Sequence, residues 1–341
     1  MLTLFKAFGL FFSLSPAVGL WVGIPALGLL LGAGVIPLLE WFVGRPGRGV
    51  FGQWSADDQP GRWGAHWPRL IAVLVLVQAP VVMFLAADSL TVVQLLLLGA
   101  SLGFVAGGTG IVLGHELGHR RSRIDRVLSL ALLTQVAYGH YQLEHNRGHH
   151  RRAATFEDPA SARVDEDLPR FFLRYFPGVW QGACSLARQE LRSSGGTMRP
   201  QGLLAVFVVY AVLLTLLAGG AALLLMLMQA LVAQYLVGTV DYIEHWGLRR
   251  ARTDGRDERI GAAHVWDCPN RVSELLLFNL PRHSHHHLNP SDDADHLLRM
   301  PASPQMPTGY AGMVLLASVP PLFRKVMLAR LPGSGLQKAG P

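Results

Sequence analysis

Apolar and polar positions are arranged along this chain in long blocks. Mostly apolar runs cover residues 7 to 23, 25 to 44, 69 to 87, 90 to 113, 202 to 219 and 221 to 242. A bilayer core takes about 20 such residues per helix, so the pattern predicts an all-α polytopic integral membrane protein with about six crossings. The runs pair into hairpins over 7–44, 69–113 and 202–242, with short turns near Gly23-Ile24-Pro25, Asp88-Ser89 and Gly219-Gly220. The polar segments are 45–68, 114–200 and 243–341. With no repeat of roughly 20 to 50 residues and no low-complexity tract, residues 1–341 read as a single membrane-embedded domain.

Composition supports that pattern. Of 341 residues 50% are hydrophobic and 16% charged, where a soluble domain carries about 25% charged residues. A mean hydropathy of +0.30 also excludes disorder, because burial on this scale offsets the entropy of ordering. The net charge of +7 and pI near 9.8 raise nucleic acid as a partner, but no basic stripe with interleaved aromatics accompanies them. No Lys or Arg occurs between Lys6 and Arg45, between Arg69 and Arg120, or between Arg199 and Arg249. Basic residues stay on the cytoplasmic side. All 30 therefore belong to one face, together with both termini, where they can also touch anionic lipid headgroups. A cleaved signal peptide is the rival reading of the first helix, with Lys6 ahead of Phe8 to Leu14, but its removal would spoil that parity. Cys184 and Cys268 form neither a disulfide framework nor a CxxC pair and read as inert.

The chemistry lies in 14 histidines. His115-Glu116-Leu117-Gly118-His119 follows the fourth apolar run. Helical residues four apart share a face, so His115 and His119 can hold one metal. Taken alone this is also the HExxH pattern of zinc proteases. In Glu144-His145-Asn146-Arg147-Gly148-His149-His150, His145 and His149 repeat that spacing with His150 beside them. Pro281-Arg282-His283-Ser284-His285-His286-His287 sets His283, His286 and His287 at i, i+3 and i+4, with His285 pointing away by the helical period. His245 follows the sixth run in Asp241-Tyr242-Ile243-Glu244-His245-Trp246-Gly247. Nine candidate ligands exceed one catalytic zinc, which takes three, and suit two metals. Imidazole alone does not choose among Zn, Cu, Fe and Ni. Glu116, Glu144 and Glu244 each neighbour such a histidine and are expected to accept from its far ring N–H, fixing the tautomer.

These strings carry a resemblance. With Tyr138-Gly139-His140, Glu157-Asp158-Pro159-Ala160-Ser161-Ala162-Arg163, Pro307-Thr308-Gly309-Tyr310 and Val319-Pro320-Pro321-Leu322-Phe323-Arg324, they resemble the integral-membrane alkane 1-monooxygenases, within the membrane desaturase and hydroxylase superfamily. The likeness spans nearly the whole chain and is most specific from His115 to Arg163; the first hundred residues match mainly in hydropathy. It implies two non-haem irons held by the nine histidines. It also implies O2-dependent terminal hydroxylation of alkanes to 1-alkanols, with electrons from rubredoxin and, through it, a rubredoxin reductase. A bacterial-type inner membrane would house the enzyme. The last histidine string departs from the family's usual pattern: His285 stands where an Asp is usual and Pro281 where a Gln is usual. Because position 285 should lie off the ligand face, the expected loss is a supporting carboxylate rather than a ligand.

His140 and His285 are assigned to support the ligands; His264 and His296 read as supporting or surface residues, and His66 as part of an interfacial belt with Trp63 and Trp67. Gly107-Gly108-Thr109-Gly110 follows no strand, so it reads as helix packing rather than a nucleotide fingerprint. Gly28 and Gly32 share a face of the second apolar run and are candidates for a substrate groove. The alternatives are a xylene-type methyl-aromatic monooxygenase, a lipid desaturase or hydroxylase, and a membrane zinc protease. A metal transporter would instead place its ligands near the membrane midplane.

Overall fold

The computed structural model describes residues 2–44, 62–86, 90–193 and 199–332; the Asp88-Ser89 turn and segment 45–61 lie outside the described residues. Among the described residues, four helices are long and apolar enough to cross a bilayer: Leu2–Trp21, His66–Ala86, Val92–His119 and Pro200–His245. Leu27–Phe42 is apolar but shorter. Thr91 starts the third by a reciprocal cap, its hydroxyl accepting from Gln94 N while Thr91 N donates to the Gln94 side chain.

The Pro200–His245 helix is interrupted at Gly219, where φ is +76° and ψ −176°, a conformation essentially reserved for glycine. Leu203 packs beside Gly139, and Gln234 donates to the Val136 carbonyl at 2.8 Å. An unbroken helix would hold Leu203 and Gln234 roughly 46 Å apart, yet Val136 and Gly139 are at most about 11 Å apart along the chain. The chain therefore doubles back at Gly219, and both arms return to the same end of the molecule. Ala79, Met83, Leu98, Leu102, Ala222 and Leu225 form a buried core between these helices. Gly107 lets the third and fourth approach closely, since a Cβ there would meet Leu236 Cδ1 at 2.8 Å.

The histidine-bearing end has its own core, including Tyr138, Phe171, Tyr175, Trp246, Trp266 and Phe323. Leu168–Ser193 is an amphipathic helix that buries Leu168, Phe171, Tyr175 and Val179 at spacings of three and four. Arg123–Gln135 is capped by Ser122 and tied to the His66–Ala86 helix by a two-pronged Arg69–Asp125 pair at 2.6 and 2.9 Å. A short antiparallel pair, Arg252–Thr253 with Arg256–Asp257, stands apart from these helices. Wide π-type turns occur at Leu31–Val35, Ala106–Ile111 and His145–His149. Such a turn replaces i→i+4 hydrogen bonding by i→i+5 and re-aims the side chains that follow.

Candidate metal centre

The nine histidines meet at the ends of these helices in two groups. His115, His119, His145, His150 and His286 form one, and His149, His245, His283 and His287 the other; within each, one nitrogen per ring lies within 4.8 Å of the rest. The groups adjoin, with the His150 and His287 ring centres 4.6 Å apart. Their membership differs from the expected helical faces. The π turn pairs His145 with His150, whose Nε2 atoms are 3.0 Å apart, and sends His149, four residues from His145, to the other group. The third histidine string also divides: His283 and His287 face one another, Nε2 to Nε2 at 3.1 Å, while His286 Nε2 lies 3.2 Å from His150 Nε2.

The donor set fits metal ions. Both ring nitrogens of His115 and of His245, Nε2 of His119 and Nε2 of His149 are buried with no hydrogen-bond partner among the described residues. Such atoms are costly unless something coordinates them. Burial, reinforced by neighbouring imidazoles, holds His145, His150, His283, His286 and His287 well below the ordinary imidazole value. They are neutral, as metal ligation requires. His149 differs: burial opposes its charge, but Asp158, together with Asp241 and Glu144, outweighs burial and lifts its pKa to about 9. Asp158 Oδ2 lies 2.9 Å from His149 Nδ1 and accepts from Ser161 Oγ at 2.6 Å. It fixes the ring from behind and leaves Nε2 facing inward. Although Asp158 stands in a stretch that carries the resemblance, no spacing rule in the sequence links it to His149.

The neighbouring glutamates behave differently from one another. Glu116 accepts from Arg120 at 2.9 and 3.1 Å and from Ala294 N at 3.1 Å, and Glu144 pairs with Arg152. Neither is placed against the back of its adjacent histidine as expected, because a charge-assisted bond to a nearby arginine is the stronger contact. An arginine-bound Glu116 also lacks the freedom a zinc protease needs to activate water. Glu244 Oε2 lies 3.1 Å from His283 Nε2, and its Oε1 accepts from Tyr310 Oη at 2.6 Å. Sequence reasoning had no role for Tyr310 although its motif was visible. His140 packs between Tyr138 and Trp180, its ring 4.9 Å from each, away from both groups. His285 also lies outside them, with Nε2 3.4 Å from Asn289 Nδ2. His264 pairs with Glu258, while His66 and His296 are exposed. Lys6 Nζ lies 5.5 and 5.6 Å from the Trp63 and Trp67 rings.

A largely apolar cavity opens onto both groups, reaching His115 and His145 of the first and His283 of the second. Phe12, Ile71, Phe104 and Leu236 are among its walls. Gly32 lines it, but Gly28 does not. A Cβ at Gly28 would meet Ser101 O at 2.9 Å, so Gly28 serves helix packing. Gly32 lies inside the wide turn at Leu31–Val35, while Gly28 lies on the regular turn before it, and the two have different environments.

Membrane-length helices ending in two buried histidine groups, with an apolar cavity between helices and site, define a class of integral-membrane non-haem oxidoreductases. Residues 89–314 match the fatty acid desaturase family. The chain is 32% identical over 332 residues to an alkane 1-monooxygenase of Ectopseudomonas oleovorans, covering 92% of this chain and 81% of that one. An alkane 1-monooxygenase of Acinetobacter baylyi is 35% identical over 245 residues, 69% of this chain and 59% of that one. The hydroxylase component of a Pseudomonas putida xylene/toluene monooxygenase is 24% identical over 230 residues, 65% and 60% of the two chains. The chain therefore belongs to the alkane-monooxygenase family within the fatty acid desaturase superfamily, as a non-haem oxidoreductase of diiron type.

Proposed function

We propose that the chain hydroxylates the terminal carbon of alkanes, giving 1-alkanols. In this reading it is one domain over residues 1–341 of a bacterial-type inner membrane, crossing about six times, with both termini and both histidine groups on the cytoplasmic side. One iron is held by His115, His119, His145, His150 and His286, the other by His149, His245, His283 and His287. When bound, the iron pair supplies the oxidation: O2 takes up two electrons and two protons, one oxygen atom enters the C–H bond and the other leaves as water.

The observation that carries the reading is the apolar cavity reaching both histidine groups. An alkane offers no polar handle, so the protein's own task is to position the chain end and exclude water. Phe12, Ile71, Phe104 and Leu236 grip the alkyl chain, and Gly32 leaves room along one wall. Electrons come from outside the chain, which has no nucleotide fingerprint of its own, and the family resemblance makes rubredoxin, with its reductase, the donor in this reading. Exposed Arg121, Arg123 and Arg126 would steer an acidic donor. The xylene/toluene relative favours methyl-aromatics as a second reading.

The test is iron-loaded protein in lipid nanodiscs, supplied with reduced rubredoxin and isotopically labelled O2, offered n-octane and m-xylene in parallel. Labelled 1-octanol in excess of benzylic alcohol supports the proposal. Benzylic product alone selects the second reading, and stoichiometric zinc with no iron-dependent turnover would sink both.

A further inference from the structure

The two histidine groups are unequal, five donors against four, and a buried carboxylate stands at the smaller one. We infer that Glu244 is itself a ligand, supplying through Oε2 an oxygen donor to the metal held by His149, His245, His283 and His287, with Tyr310 as the residue that aims it. This rests on the two-metal reading above.

The argument is which face of the imidazole each carboxylate meets. Asp158 approaches His149 at Nδ1 and leaves Nε2 without a partner, the arrangement of a residue that orients a ligand from outside. Glu244 does the reverse. It lies 3.1 Å from His283 Nε2, while His283 Nδ1 is the nitrogen without a partner among the described residues. The same Nε2 faces His287 Nε2 at 3.1 Å, so it is the nitrogen turned toward the shared metal. Donors bound to one ion at about 2.1 Å lie roughly 3.0 to 3.4 Å from one another. Both spacings at His283 Nε2 match that separation, so the Glu244 oxygen stands at donor spacing from His283, at the edge of the four-histidine group rather than inside its 4.8 Å set.

Tyr310 makes the placement specific. Its hydroxyl occupies Oε1 at 2.6 Å and leaves Oε2 for the histidine group. Tyr310 is itself held by a second buried carboxylate. Glu40 accepts from Ala311 N at 3.1 Å, Gly312 N at 2.8 Å and Ser273 Oγ at 2.6 Å, and Ser273 Oγ in turn accepts from Tyr310 N at 3.0 Å. Charge gives an independent reason. Asp158 stands behind His149, but imidazole ligands bring no negative charge to two buried cations directly, and a carboxylate bound at the four-histidine site supplies it. A mixed imidazole and carboxylate set is also usual for non-haem iron.

Glu244→Gln keeps the size of the side chain and an acceptor for Tyr310 while removing the anionic donor. Metal-free protein in nanodiscs is titrated with isotopically enriched ferrous iron, and metal per chain and the Mössbauer doublets are recorded. The parent should bind two irons with two doublets of equal area. In Glu244→Gln one doublet should shift and its site should lose more affinity than it does in Asp158→Asn, which removes a supporting carboxylate and costs about 10- to 100-fold, while the other doublet keeps its parameters. Tyr310→Phe should retain both irons and broaden the same doublet only. Doublets unchanged in Glu244→Gln, or a loss of affinity no greater than in Asp158→Asn, would overturn the assignment. A parent that binds fewer than two irons overturns instead the reading on which it rests. Should Glu244→Gln fail to fold, the metal-loaded parent structure decides: a Glu244 oxygen about 2.0 to 2.2 Å from the metal supports ligation, and an oxygen beyond hydrogen-bond distance of it refutes the idea.

Discussion

At the scale of single residues, burial and partner choice separate side chains that look alike in the sequence. Asp158, His285 and Asp267 are all polar and buried beside the histidines, yet only Asp158 touches a ring of the metal groups. Asp158→Asn should therefore weaken metal binding by about 10- to 100-fold. His285→Asp, at a position outside both histidine groups, should leave metal content unchanged; metal analysis of the two purified variants makes the comparison. Asp267 accepts from the backbone and hydroxyl of Ser284, each at 2.7 Å, and so anchors the His283–Leu288 helix. Burial raises its carboxyl to about 7 despite those bonds. A carboxyl raised on folding contributes stability below its unfolded value, near 4, that is lost as pH rises through about 7. Asp267→Asn should therefore flatten the fall of the thermal midpoint between about pH 4 and 7; an unchanged slope would mean that Asp267 is charged throughout.

The scale of elements is where sequence periodicity misled most. The i, i+4 rule holds for His115 with His119 and for His283 with His287, which lie on regular α-helix. It fails for His145 with His149, because the π turn there shifts the pairing to i, i+5. No residue in that string announces a π turn. The same difficulty divides Gly28 from Gly32. Gly32 faces Phe104 in the cavity wall, so Gly32→Trp should push that ring aside, fill the groove and shorten the preferred alkane. A chain-length profile that stays the same in folded, iron-bearing Gly32→Trp protein would exclude Gly32 from the substrate path. Gly219 is an element-scale position of another kind, since a Cβ would meet no atom within 4 Å but φ is +76°. Gly219→Val should cost about 1 to 3 kcal/mol through backbone strain alone, read as a lower melting midpoint in detergent with metal ligation intact.

For the molecule as a whole, the distribution of charge and the reversal at Gly219 bear on the same question. Arms that return to one end bring His245 to the histidine string at 283–287, and the long basic-free stretches surround the turns at Gly23 and Gly219. Reporter domains fused after Gly23 or Gly219 should therefore be periplasmic, and those fused after Arg152 or Arg299 cytoplasmic. A cytoplasmic signal at Gly219 would break the orientation proposed for the histidine site. The arrangement also suits the proposed substrate: the cavity starts among membrane-length helices at Phe12 and Phe104 and ends at the histidines, so on that proposal an alkane would pass from lipid to the site without crossing water.

Several features were legible in the chain alone because they rest on local composition. Twenty-residue apolar blocks require helices in a bilayer, and nine histidines in four strings are too many for one metal. Which histidines gather into one group was decided only by the tertiary structure. His149 joins His245, nearly a hundred residues away, rather than His145 four residues away, because a wide turn changes the direction of a ring without changing the sequence spacing. The roles of the carboxylates were hidden for the same reason. Glu116 and Glu144 are taken by arginines, while Asp158 and Glu244 meet opposite faces of their imidazoles. Arg120 lies one helical turn from Glu116 and was a partner the sequence offered, whereas Glu144, Asp158 and above all Glu244 meet partners outside that spacing, chosen by packing and burial.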